Sequence, residues 1–498
     1  MKRLICLMLS LMMVLGLCAC GGSGNGEAAA TETTGVIAPG PSEATDPTET
    51  TAPADTASQL MAGFGRVSIV PDFQVQLAGG AATRYSESYP QDDLAITCVA
   101  LRENDETFLL YTMDLICAED VFVDPTKALV SSATGVPESN ILMNATHTHA
   151  GPAIRSDGSR NVDQYRAAFY LWAEEAAVTA IEDLAPVTVS CGSIEAPGMA
   201  WVRHYVMNDG TYSGANFGST ASGYKGHVEE ADVELQLIRF EREDKEKKDI
   251  VLMNFPAHAT MTQSATAMSA DFPFAARTYV ESENNCHVAY FIAAAGNQVP
   301  TSRISVEQFS DNYQIYGEEL GRYAVMGLDN NMKEVDASGI AFKQKTFTAP
   351  YNKEKLDQLP AALSVKAKWA EVGRATSAGT QAAKAAGFAS VYEVSAIINR
   401  SSAPDTNSME IKVLALGDVS FIFAPYEMFG SHGRTIKDNS PYEDMTFIIT
   451  CAEGAEGYLP SLLGWEIGTY ESHVTKFERG TGEKLADEFV AMLTEIKG

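Results

Sequence analysis

The chain has 498 residues, 45% of them hydrophobic, enough to bury a large core in one big domain or several smaller ones. Its 65 acidic residues against 36 basic ones give a formal net charge of -29, and no basic stripe interrupts that balance. Nucleic acid is therefore excluded as a partner, and strongly anionic ligands are disfavoured over the surface as a whole.

In chain order, Lys2-Arg3 precedes an apolar run from Leu4 to Leu17 that is too short for a membrane span and suits a secretory leader. Leu17-Cys18-Ala19-Cys20 followed by Gly21-Gly22 reads as a bacterial lipobox. On this reading residues 1–19 are a lipoprotein signal peptide, and Cys20 carries the lipid that anchors the protein to the cell membrane on its extracytoplasmic side. The alternative is a plain leader cleaved nearby. Residues 20–59, rich in Thr, Ala, Pro, Glu and Ser, predict a disordered tether, because too little apolar surface is present to hold a core. Residues 60–498 form the globular part. Cys98, Cys117, Cys191, Cys286 and Cys451 fall there with wide spacings and no C-x-x-C, so neither a disulfide framework nor a cysteine zinc site is expected.

Strands are predicted at 97–102 and 107–115, and a helix at 125–134 with Pro125 in its first turn. Ile141-Leu142-Met143 opens a buried strand that runs into Thr146-His147-Thr148-His149 and stops at Gly151-Pro152. Strand alternation puts His147 and His149 on one face, where they suit either a metal or a simple hydrogen-bonded pair. A helix at 163–184 and strands at 187–191, 233–240 and 250–256 follow, the last ending in Ala257-His258. Asp271 is placed to orient an imidazole. Further expectations are a helix at 274–281, a strand at 288–293, a tight loop at 295–300, and helices at 312–328 and, Ala-rich, across 353–388. A hairpin at 409–416 and 419–424 leads into Pro425-Tyr426-Glu427. A strand at 446–451, a loop holding Tyr458 and Tyr470, and a helix at 484–496 close the chain. Strands alternating with helices predict an α/β fold, a large mixed domain with β-sheets flanked by helices. No G-x-S-x-G, P-loop or G-x-G-x-x-G occurs.

Taken together, Thr146-His147-Thr148-His149-Ala150-Gly151-Pro152, Phe255-Pro256-Ala257-His258, Glu427 at a strand end, and Tyr458 with Tyr470-Glu471 resemble the catalytic domain of neutral ceramidases, zinc amidases that hydrolyse the N-acyl bond of ceramide. The resemblance runs from about Gly63 to the C-terminus. It implies Zn2+ held by His147, His258, Glu427 and Tyr458, with His149, Arg203 and Tyr470 as the catalytic groups around it. Residue chemistry alone supports the two histidines and the carboxylate; the tyrosine ligand rests wholly on the resemblance. Two departures stand out. The family's loop serine is Val299 here, which excludes a serine nucleophile at that place but not a metal-activated water. The stretch after Tyr470 is too short for the immunoglobulin-like C-terminal domain usual in ceramidases, so that domain is not expected in residues 60–498.

The implied activity is zinc-dependent hydrolysis of an N-acyl amide, ceramide or a related N-acyl lipid, by an enzyme of sphingolipid metabolism or of a simpler lipid class. The rivals are a hydrolase of another amide or of an ester, and a surface lipoprotein that keeps the fold as a ligand-binding module. The expected partner is a small N-acyl or lipid substrate.

Overall fold

The computed structural model describes residues 59–498, apart from 80–82, 88, 156–160, 215–222 and 306–310. The leader, Cys20 and the tether up to residue 58 lie outside the described residues. Leu60 is already buried and the first strand spans Met61–Ser68.

The larger sheet runs, in spatial order, Cys286–Ile292, Asp249–Phe255, Glu234–Arg242, Ala185–Glu195, Met61–Ser68, Ala95–Glu103, Glu106–Met113 and Ile141–Ala145, with the short Lys333–Val335 strand paired to Ala185–Glu195. The pair at each end of that order is parallel; the pairs between are antiparallel. The sheet's two ends approach each other, since Thr112 Oγ1 donates to the Tyr290 carbonyl at 2.5 Å. A second sheet has the order Ile340–Pro350, Thr406–Leu416, Val419–Phe423 and Met445–Ile449, again with its last pair parallel.

Period-two alternation explains how these strands stack into layers. Along Ala95–Glu103, Ile96, Cys98 and Ala100 face the helices Asp120–Thr134 and Val162–Glu182, among Phe122, Phe169 and Ala176. Val99 and Leu101 point the other way, into an apolar layer shared with Leu414, Phe421, Phe423 and Phe447 of the second sheet. That sheet's outer face, with Ile411, Val413 and Ile422, is covered by Phe489, Met492 and Leu493 of the Thr481–Lys497 helix. The result is a helix, sheet, sheet, helix stack whose strands are covered on both faces, which is why so many read as unbroken apolar runs.

The mixed α/β class with sheets flanked by helices is observed, and most predicted strands lie within two or three residues of their observed bounds. The differences have physical causes. The helix predicted from Pro125 begins at Asp120, so proline sits inside it and one backbone bond is forgone. The Ala-rich stretch predicted as helical across 353–388 holds two α-helices, Leu359–Val372 and Ser377–Ala385, and a third, Val391–Ser402, follows it, with Gly373 and Gly387 at positive φ between them and Thr376 and Ser390 as side-chain N-caps. Ile340–Pro350 escapes prediction because its Lys-Gln-Lys centre is polar; its pairing with Thr406–Leu416 over the full length makes it a strand. Gly430–Asn439 also folds as a helix. Tyr470, expected in a loop, opens the short helix Tyr470–Val474.

Candidate metal centre

The parallel strands pass their C-terminal ends to one mouth, the usual place for chemistry in α/β proteins. Ile141–Ala145 is followed by His147, Asp249–Phe255 by His258, Cys286–Ile292 by Ala295, Val419–Phe423 by Glu427 and Met445–Ile449 by Cys451. Backbone bonds stitch these ends together: Ala145 N to Cys451 O at 3.2 Å, Thr450 N to Ile292 O at 3.1 Å, His258 N to Gln298 O at 3.0 Å and His149 N to Ala259 O at 3.1 Å. Glu427 and Tyr458 are direct partners in a two-residue parallel ladder, which sets their side chains next to each other across strands distant in sequence.

His147 and His149 do not alternate along a strand. The strand stops at Ala145, and His147 has φ 66°, a left-handed conformation that a side chain of its size adopts at a cost of roughly 1–3 kcal/mol. The turn it makes brings the two imidazoles together, Nε2 to Nε2 at 3.3 Å. His147 Nδ1 lies 2.6 Å from the Ile116 carbonyl and His258 Nδ1 lies 2.6 Å from the Ala295 carbonyl. A carbonyl only accepts, so each Nδ1 carries the proton and each Nε2 offers a lone pair inward. Glu427 Oε2 stands 3.3 Å from both of those Nε2 atoms. Tetrahedral bonds of about 2.0–2.1 Å give ligand-to-ligand edges of about 3.3 Å, so this spacing is the one a zinc ion imposes. His258 Nε2 and Glu427 Oε2 are buried without a hydrogen-bond partner, and a cation between them resolves both. The residues present therefore fit the metal. Among the described residues, His147, His149 and His258 form a set whose ligand atoms lie within 4.8 Å of one another.

Burial, with Arg203 and His147 adding to it, pulls the His258 imidazole down to about 4, so it is neutral at pH 7. His149 Nδ1 is 3.1 Å from the Gly79 carbonyl. Gly79 has φ 82°, and a Cβ there would come within 2.5 Å of the His149 ring.

Arg203 is buried beside the centre. Its Nε donates to Glu471 Oε1 at 2.7 Å and an NH2 nitrogen to the Gly296 carbonyl at 2.8 Å, while its guanidinium carbon lies 5.4 Å from the Tyr458 ring centroid. His204 Nε2 meets the other Glu471 oxygen at 2.8 Å. Glu471 is thus a buried carboxylate beside the centre that residue types alone did not single out; its only signal was its place after Tyr470. Tyr458 stacks on His258 at 6.4 Å and meets Tyr470 edge-on at 5.8 Å. Burial raises both phenols above their ordinary range. Asp271 does not orient an imidazole. It caps the Phe272–Glu283 helix, accepting from the backbone N–H of Phe272 and from the N–H and hydroxyl of Thr262.

Two cavities meet over the centre. One of about 620 Å³ takes in His147, His149, Glu427, Tyr458 and Tyr470; the other, of about 770 Å³, shares His149 and the two tyrosines and extends over Arg203 and Val299. Val299 belongs to a two-residue strand, Gln298–Val299, paired to Trp201–Val202. Gln298 fastens that loop from beneath, donating to the Pro256 carbonyl at 2.6 Å.

No family model matches the chain, and no curated protein matches it by sequence. Solved structures do match it by shape. A ceramidase complexed with C2 superposes with a TM-score of 0.63 over 88% of this chain and 75% of that chain, at 15% identity. A neutral ceramidase from Pseudomonas aeruginosa gives a TM-score of 0.64 with the same coverage, at 14% identity. The chain has the neutral ceramidase fold. The mouth where its parallel strands end is accordingly the mouth of a ceramidase-like fold, reached at 14–15% identity over the whole alignment.

Proposed function

We propose that the chain is a zinc-dependent hydrolase that cleaves an N-acyl amide bond to a carboxylic acid and an amine. The observation that carries this reading is that Glu427 Oε2 stands at a tetrahedral-edge distance from both His147 Nε2 and His258 Nε2, with Glu427 Oε2 and His258 Nε2 buried and partnerless beside a cavity lined by His147 and Glu427. His147, His258, Glu427 and Tyr458 would hold the zinc. When bound, zinc lowers the pKa of a coordinated water toward 7 and polarises a carbonyl.

The surrounding side chains do the rest. His149 takes the proton of the attacking water and hands it to the amine nitrogen as the C–N bond breaks, while the water oxygen stays on the carbonyl carbon. Its Nδ1 contact with the Gly79 carbonyl keeps Nε2 turned inward for that task. Tyr470 is protonated at neutral pH, as a phenol ordinarily is and burial reinforces, and donates a hydrogen bond to the carbonyl oxygen as that atom gains negative charge. Arg203 donates through Nε and Nη2 to Glu471 and Gly296 and packs on the Tyr458 ring, so its part is to position Tyr458.

A second reading of the metal shell has its own observation. His149 Nε2 lies as near to His147 Nε2 as Glu427 does, which suits a fourth ligand in place of Tyr458. Zinc content of His149→Ala and Tyr458→Phe separates the two.

The substrate is a simpler N-acyl compound than ceramide. Val299 puts a β-branched apolar side chain on the cavity wall, leaving a sphingoid hydroxyl without a partner there at a cost of about 1–3 kcal/mol. The test compares kcat/KM of zinc-replete protein on ceramide and on plain N-acyl amines, in wild type and Val299→Ser. Expected are amide cleavage lost on chelation and a gain on ceramide of roughly tenfold or more in the variant. Zinc-replete protein that cleaves esters but no amide, or that binds N-acyl lipids without turning any over, overturns the amidase reading in favour of its rivals. Extracytoplasmic anchoring through Cys20 belongs to the same proposal, since it places such an enzyme where acyl lipids are encountered.

A further inference from the structure

A chain of net charge -29 predicts an anion-repelling surface, yet the cavity over the histidines is edged by three cationic side chains, Arg155, Arg374 and Lys476. Two of them are paired with carboxylates: Arg155 Nε with Glu119 at 2.6 Å and Lys476 Nζ with Glu456 at 3.1 Å. Arg374 is different. Its Nε is buried with no hydrogen-bond partner, and no carboxylate among the described residues pairs with it.

Arg374 is nevertheless held firmly. It follows Gly373, whose φ of 81° turns the chain out of the Leu359–Val372 helix. Its guanidinium carbon lies 4.7 Å from the Tyr392 ring centroid and 5.8 Å from that of Trp369. Tyr392 in turn meets Tyr470 edge-on at 5.7 Å. A guanidinium packed on aromatic faces keeps its donor edge for a planar acceptor, and carboxylate is the acceptor that fits that fork best. Because the rings already fix it, little side-chain freedom is lost when an anion arrives.

We propose that Arg374 is the specificity residue for a carboxylate carried by the substrate, so that the preferred substrates are N-acyl amino acids. This rests on the amidase reading and names its substrate class. Arg374 touches Tyr392 and Tyr392 touches Tyr470, so in this assignment the carboxylate lies some bonds away from the scissile amide and belongs to the amine portion of the substrate.

The probes are N-lauroylglycine and N-lauroyl-6-aminohexanoate, each against the uncharged N-lauroyl alkylamine of matching length. Wild type is expected to favour at least one acid over its neutral partner tenfold or more in kcat/KM. Arg374→Gln should erase that ratio through KM, and Arg374→Lys should restore it in part, since charge without the planar fork recovers only some of the contact. Binding is read separately by calorimetry with the non-hydrolysable dodecyl urea of 6-aminohexanoate, on zinc-loaded protein of equal metal content. Affinity that falls at least tenfold in Arg374→Gln supports the assignment even if no amide is turned over, in which case the amidase reading alone fails. Equal affinity in wild type and Arg374→Gln, or measurable but equal turnover of acids and neutral amides by wild type, overturns it.

Discussion

His147 shows what a single residue can and cannot disclose in a sequence. Its pairing with His149 and its place after a buried strand were legible, and so was the equivalent place of His258. The route to convergence was not, because it depends on a left-handed turn at His147 that no residue type announces. Tyr458 was legible only through family resemblance; its position follows from a ladder with Glu427 formed across the fold. The first prediction is that His147→Ala and His258→Ala each lose most of the near-stoichiometric zinc of wild type, measured by metal analysis of purified protein; full zinc in both would exclude the centre. The second concerns Gly79, whose carbonyl receives His149 Nδ1 and whose missing Cβ leaves room for the ring. Gly79→Ala should lower kcat by roughly a hundredfold, as loss of a positioned proton carrier does, while zinc stays bound. Zinc lost together with activity would instead mark His149 as a ligand.

At the scale of elements, the strands were readable because burial on both faces leaves them apolar throughout, and their ends were readable as the site for the same reason. What escaped were elements defined by partners rather than by pattern: the polar Ile340–Pro350 strand, and the short Tyr470–Val474 helix that carries Tyr470 and Glu471. Glu471 joins that helix to Arg203 and His204 through a buried ion pair with the first and a hydrogen bond with the second. Burial alone would raise its carboxyl, but Arg203 and His204 outweigh burial and hold it at about 2, against an ordinary 4.5. A depressed carboxyl contributes its stabilisation in full above the unfolded value and loses it as pH falls from there toward 2. Glu471→Gln should therefore destabilise the protein by about 3–5 kcal/mol near neutral pH, because Arg203 is left buried and unpaired, with the deficit shrinking below pH 4.5. Urea unfolding at pH 7 and pH 3.5 measures it, and an undiminished deficit at the lower pH would show that packing rather than charge is at stake.

At the scale of the whole molecule, the layering of two sheets between helices makes a further consequence testable. His147 and His258 follow strands of the larger sheet, whereas Glu427 follows a strand of the smaller one and Tyr458 pairs with it. A metal held by all four ties the loops of both sheets at one point, and no such point exists in the unfolded chain, so its binding energy becomes folding stability. At a free zinc concentration a hundredfold above Kd the gain is about 2.7 kcal/mol. Zinc-loaded wild type should accordingly melt several degrees above the chelated protein, with the gap growing as zinc is raised. Lowering the pH should close the gap, since protons compete for the imidazole nitrogens. His147→Ala removes a ligand from one sheet and Glu427→Ala from the other, and each should melt at a temperature that no longer responds to zinc. Identical melting of wild type with zinc and with chelator would mean that the centre is assembled by the fold alone and that metal adds nothing to it, which the partnerless His258 Nε2 and Glu427 Oε2 argue against.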